Sequence, residues 1–303
     1  MISKKGWKRL QPILRIGVSF LLIYYLLKKA NLPIIYETLK KVRVEFLGLA
    51  VLLHLAGDFL SSLQWQIVLS INQVKLSLKK LFPLYLIGAF FSSFLPTNIG
   101  GDVYKIHRLT AYKVKISQAF TSVLMARIMG LWALIFVATL TFFWPPNLAI
   151  SGLKTKLLLA LLWGGIILIF YLPRFLHKLN FLSEIHSALA SYGREKKIFI
   201  ISLLVSLIAQ VLGIFYCAAI AFSLKLNLSL MQIAYFSSLT IIISALPVAI
   251  NGLGIREWSY VLLFHKVGLS REAALSFSLL IIVFIILRST LGGLCYALGR
   301  DKF

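Results

Sequence analysis

The sequence predicts an all-α polytopic membrane protein: about six full transmembrane helices plus two re-entrant or broken elements, built as two inverted repeats related by an offset of 151. Three observations carry this. Of the 303 residues, 60% are hydrophobic and the mean hydropathy is +0.91, far above what a water-soluble domain carries. Apolar stretches near the roughly 20 residues that a ~30 Å hydrocarbon core requires recur along the chain. Two more apolar stretches break at proline and glycine, and they resemble each other.

Taken in order, the full spans are read at 10–28, 46–70, 116–144, 153–173, 198–223 and 272–299. The first follows Lys4, Lys5, Lys8 and Arg9, as a signal peptide would. It is longer than a usual signal core, has no small-residue cleavage site and runs into Lys28 and Lys29, so it is read as a retained helix. The broken stretches lie at 81–97 and 230–250. Cys217 and Cys295 sit in apolar segments without metal or redox spacing and are expected to be packing residues.

The chain holds 32 Lys+Arg against 9 Asp+Glu, a formal charge of +23. In a soluble protein that would suggest nucleic acid. Here the basic residues fall in short connections between spans, the pattern of headgroup contact and the positive-inside bias, and no long soluble segment is left to hold nucleic acid.

The repeat appears when the sequence is shifted by 151, which lays SFLPTNIGGDVYK (93–105) on SALPVAINGLGIR (244–256). Pro96 then meets Pro247, Gly101 meets Gly252 and Lys105 meets Arg256, in register with the spans. Apolar sequences match one another easily; coincident proline, glycine and basic residues do not. The first repeat covers about 10–144 and the second about 153–299, in a single integral membrane domain spanning 1–303. If both broken elements dip in and return, with the N-terminus inside, the inner segments hold 18 Lys+Arg against 11 outside; eight full crossings give at best 17 against 12. The wider imbalance favours the re-entrant, inverted arrangement with a cytoplasmic N-terminus, with eight full spans as the alternative.

The breaks are read as lining a cavity. Proline removes a backbone donor and glycine admits tight reversal, and open backbone at membrane depth is tolerated only against protein or water. Paired breaks in corresponding halves point to a transporter's substrate site. The candidate lining segments are the break at 95–102, with Asn98 in it, and its matching copy LPVAINGLGIRE.

Several ionisable groups lie well inside the spans, among them His54 and Asp58 on one helical face, then Arg127 and Arg288. Each should face the bundle interior, since facing lipid costs a few kcal/mol. Arg127, Arg288, Lys105 and Arg256 suit a lipid phosphate, because a guanidinium offers planar paired donors. Asp58 reads equally as a counter-charge or proton-coupling carboxylate for that site, and as an arginine partner that locks two helices.

No HExxH, GxxxxGK[ST], GxSxG or Cys/His metal pattern occurs, so neither a cofactor, a metal nor an enzyme activity is expected. Asp102 and Glu257 keep a membrane-embedded transferase open as an alternative.

FLPTNIGGDVYKIHRL together with ALPVAINGLGIREWSYV resembles the lysylphosphatidylglycerol synthase transmembrane family, also called flippase-like. The resemblance covers nearly the whole chain, and it implies that Pro96, Gly100, Gly101, Asp102 and Lys105 in the first motif and Pro247, Asn251, Gly252, Gly254, Arg256 and Glu257 in the second build the two re-entrant tips and line the cavity. It implies a multi-pass protein of the cell (cytoplasmic) membrane, a region held to move an aminoacylated lipid between leaflets while a separate soluble domain attaches the lysine. Because the chain stops at Phe303, no room for such a domain is expected here. The implied partners are membrane lipids, anionic or lipid-linked intermediates, and a separately encoded lipid-modifying enzyme. The expected function is lipid translocation, with a non-transporting scaffold of a lipid-modifying enzyme or glycosyltransferase as the alternative.

Overall fold

A computed structural model describes residues 17, 19–94, 99–143, 157, 159–165, 192, 195–245 and 249–300. The regular elements are helices. They are α1 (Ser19–Lys28), α2 (Leu32–Lys40), α3 (Val44–Ile71), α4 (Leu78–Phe94), α5 (Gly100–Ala111), α6 (Ile116–Phe143), α7 (Lys196–Ser223), α8 (Leu230–Ser244), α9 (Ile255–His265) and α10 (Arg271–Ala297).

Among the described residues, α3, α6, α7 and α10 are long and apolar enough to cross a membrane. At 27 or 28 residues each runs about 40 Å, beyond the ~30 Å hydrocarbon thickness. They match the spans expected at 46–70, 116–144, 198–223 and 272–299 to within a few residues. The span expected at 10–28 is described in its second half, as α1. That at 153–173 lies mostly outside the described residues.

α3 and α7 run antiparallel along most of their length. At one end the Arg43 backbone N–H donates to the Ser223 carbonyl at 3.1 Å. At the other, the Asn72 amide donates to the Tyr192 hydroxyl at 2.9 Å.

α4 and α5 form a closed helical hairpin. Phe91 stacks on Tyr104 with ring centroids 4.5 Å apart near the turn, and the Lys80 ammonium lies 5.6 Å over the Tyr112 ring at the open end. The arms approach so closely because of Gly88 and Gly101: a Cβ on Gly101 would run into the Gly88 carbonyl. α8 and α9 form the corresponding hairpin, with Phe236 against Phe264 at 5.9 Å. A capping box, with Ser229 and Gln232 each bonded to the other's backbone, starts α8. At 17 and 15 residues, α4 and α8 reach only about 25 and 22 Å. Neither is long enough for an untilted span.

The halves interlace. α4 packs along α10, where Gly292 sits against the Leu86 backbone and the Ser289 hydroxyl donates to the Ser93 hydroxyl at 2.7 Å; α8 packs along α6. The largest apolar core gathers Phe236, Phe264, Phe277, Tyr260 and Tyr216 around the second hairpin, and a smaller one holds Trp65, Leu69, Leu81, Leu84 and Leu109 around the first. Between the first hairpin and the long helices the packing opens.

Candidate functional site

The opening is a cavity of about 360 Å³. Its wall takes Ser61, Gln64 and Trp65 from α3, Tyr85, Gly88 and Ser92 from α4, and Asp102 and Lys105 from α5. α6 adds Arg127 and Gly130, α7 adds Ser206 and Gln210, and α10 adds Arg288.

α5 supplies the charge at the centre because of how it starts. Gly100 and Gly101 are buried at its first turn, which lets Asp102 and Lys105 project from the hairpin toward α3 and α6. A carboxylate in that turn is favoured by the helix dipole. Asp102 collects two cations: Lys105 Nζ lies 3.6 Å from its Oδ1, and Arg127 Nε contacts its Oδ2. Arg127 reaches in from a half-exposed position. Lys105 is buried at 15% side-chain exposure, with Nζ 4.5 Å from the Tyr85 ring centroid and 5.5 Å from that of Trp65. Aromatic faces replace part of the hydration that this ammonium loses.

Arg288 closes the opposite wall. Its Nη1 donates to Asp58 Oδ1 at 3.4 Å. Behind that pair the His54 and Tyr216 rings pack with centroids 4.8 Å apart. Among the described residues, three cations therefore face the cavity against one carboxylate, with Asp58 a step behind. The arrangement can hold an anion at membrane depth with its charge met on three sides.

Asp102, Lys105, Arg127 and Arg288 thus meet in one place, with Gly100 and Gly101 supporting them. Pro96, Asn98 and Pro247 lie outside the described residues. The charged members of the second motif do not join this wall. Arg256 turns onto its neighbour, donating from Nε and Nη2 to Glu257 Oε1 at 3.0 and 2.9 Å, and the other Glu257 oxygen accepts the Gly254 N–H at the start of α9. Both are buried. The expectation that Arg256 shares a phosphate site with Lys105 is therefore corrected: its guanidinium is spent on Glu257. Asn251, Gly252 and Gly254 build the turn itself, all at positive φ (49°, 71° and 84°). At Gly254 a Cβ would lie 2.9 Å from Leu22 Cβ, so this turn is seated against α1.

Sequence reasoning missed Gln64, Gln210, Ser206 and Tyr85. The two glutamines carried a signal, an amide inside an otherwise apolar span, which needs a polar partner for the same reason a charge does. Among the described residues, no group of three His, Cys, Asp or Glu side chains stands together as a metal site.

Compared with known families, a family model described as lysylphosphatidylglycerol synthase TM region matches residues 13–293, nearly the whole chain. No curated protein and no solved structure matches.

Proposed function

We propose that this chain, which belongs to the lysylphosphatidylglycerol synthase TM-region family, is a lipid translocase. It moves an anionic, aminoacylated or polyprenyl-phosphate-linked lipid between leaflets by passing the headgroup through the α3–α6 and α10 cavity. The carrying observation is the convergence of Lys105, Arg127 and Arg288 on one hollow among apolar helices, with a single carboxylate, Asp102, in its wall. The volume is near the lower end of the roughly 300–1,000 Å³ usual for small-molecule sites, suited to a headgroup while the acyl chains stay in lipid.

In this reading the chain is an inverted repeat, which the helix lengths and pairings support. α3 to α6 have 28, 17, 12 and 28 residues and α7 to α10 have 28, 15, 11 and 27. The pairing of α4 with α10 repeats as α6 with α8, and each hairpin packs against the long helix that follows it. The equivalent helices α3 and α7 run antiparallel, as inversion requires. In this reading the hairpins are the two re-entrant elements, α1 and the segment around 159–165 belong to the remaining two spans, and the N-terminus is cytoplasmic in the cell membrane. The second copy has the longer connection between its hairpin arms, 245–254 against 95–99. Counted from the helix start, Asp102 and Glu257 are equivalent third residues and Lys105 falls on Tyr260, so a constant shift of 151 fits the turn residues better than the arms.

Proteoliposomes test the proposal. Headgroup-labelled phosphatidylglycerol, lysylphosphatidylglycerol and polyprenyl phosphate are followed across the bilayer with and without the protein. Acceleration of at least one, lost in Lys105→Met, is expected. No acceleration of any of them overturns it.

A further inference from the structure

We infer that the cavity takes up a proton on Asp58 when an anion binds Arg288, so that lipid movement is coupled to protons; this rests on the translocase reading and adds its energy coupling. Arg288 is shared. Its guanidinium lines the cavity at 27% side-chain exposure, and it holds Asp58, whose side chain is 6% exposed, by one contact of 3.4 Å. A charge-assisted bond of this kind usually measures about 2.7–2.9 Å and often forms in pairs. Here, among the described residues, Arg288 Nε and Asp58 Oδ2 are buried without a hydrogen-bond partner, as are His54 Nε2 and the Tyr216 hydroxyl beside them. A phosphate in the cavity therefore competes for a cation that is loosely held.

When Arg288 turns to the anion, Asp58 is left buried without its cation. A carboxylate in such surroundings takes a proton rather than stay ionised. The proton comes from bulk solvent and binds a carboxylate oxygen of Asp58, so the arriving negative charge is offset by one charge neutralised. Release of the anion returns Arg288 to Asp58 and expels the proton. Around Asp58 stand His54 on its own helix, Tyr85 on α4, Tyr216 on α7 and Arg288 on α10. Across the cavity, Lys105 and Arg127 already share Asp102, which leaves Asp58 as the carboxylate whose cation can be drawn away.

Isothermal titration of the full chain in detergent tests this. One arm uses dihexanoylphosphatidylglycerol and the other dimethyl phosphate, each in several buffers of different ionisation enthalpy. Both ligands are phosphodiesters whose charge is constant near neutral pH, so buffer-dependent heat reports protons exchanged by the protein. Net proton uptake is expected, approaching one per anion, with binding tightening by up to about tenfold for each pH unit lowered. Asp58→Asn should abolish the buffer dependence and, with the competitor gone, tighten binding about fivefold or more. The wild-type buffer series decides the matter even if that variant does not fold. Binding with equal heats in all buffers overturns the coupling and leaves the translocase reading standing. No binding in either arm overturns both. Proton-linked binding of dimethyl phosphate alone supports the coupling and removes the lipid as cargo.

Discussion

Arg127 on α6 closes onto Asp102, the third residue of α5, Nε against Oδ2. The contact joins a half-exposed guanidinium to a buried carboxylate that Lys105 also approaches, so Asp102 holds two cations at the cavity wall. Removing the carboxylate takes this counter-charge from both. Asp102→Ala should lower stability in detergent by about 1–2 kcal/mol, less than a fully buried pair would lose because Arg127 is solvated. Translocation in proteoliposomes should fall more than tenfold. Thermal unfolding and transbilayer assays check the two separately.

Gly101→Ala tests the hairpin. The added methyl has nowhere to go, because the Gly88 carbonyl and the Ser92 hydroxyl occupy its place. The arms must part, at a cost of several kcal/mol of the kind overpacking brings, and folded yield should drop sharply by size-exclusion chromatography. Gly130→Ala is the control. It lines the same cavity, and a Cβ there meets nothing within 4 Å, so the variant should fold as the wild type does.

Under the inverted arrangement the open ends of the two hairpins emerge on opposite membrane faces. Lys115 and Lys266 lie just beyond them and are exposed. Lys115→Cys and Lys266→Cys, each in a Cys295→Ser background with buried Cys217 retained, should label with an impermeant maleimide from opposite sides. Labelling of both from one side removes the inverted repeat.

Glu257→Gln keeps the size of the side chain and removes its charge. It weakens both the pairing with Arg256 and the acceptor at the Gly254 N–H, each buried. A loss of about 2–4 kcal/mol in stability is expected. In a folded fraction, the affinity of the cavity for dimethyl phosphate should stay within about twofold, because Glu257 takes no part in that wall.

The four long spans were legible because apolar runs near 20 residues long leave few alternatives in a chain this hydrophobic. The second turn was legible through its glycines, since Gly252 and Gly254 take the positive φ that a tight reversal asks for, whereas Gly101 is helical and serves the close approach of α5 to α4. The pairing of charges was not. Asp58 could have met any arginine, and its choice of Arg288 depends on α10 packing along α4 and touching α7, a packing fact that no local pattern encodes. Arg256 misled for a related reason: alignment to Lys105 follows the turn, whereas its contacts follow the arm, where Glu257 is next to it.

The interlacing of α4 with α10 bears on how the chain is made. Asp58 and the first hairpin leave the ribosome long before Arg288 and Gly292, the groups against which they finally rest. During that interval the nascent first half carries an unmatched carboxylate and an uncovered α4 face at Leu86 and Phe90. It must be sheltered by water, headgroups or an insertion factor until synthesis of the last helix completes its partnership.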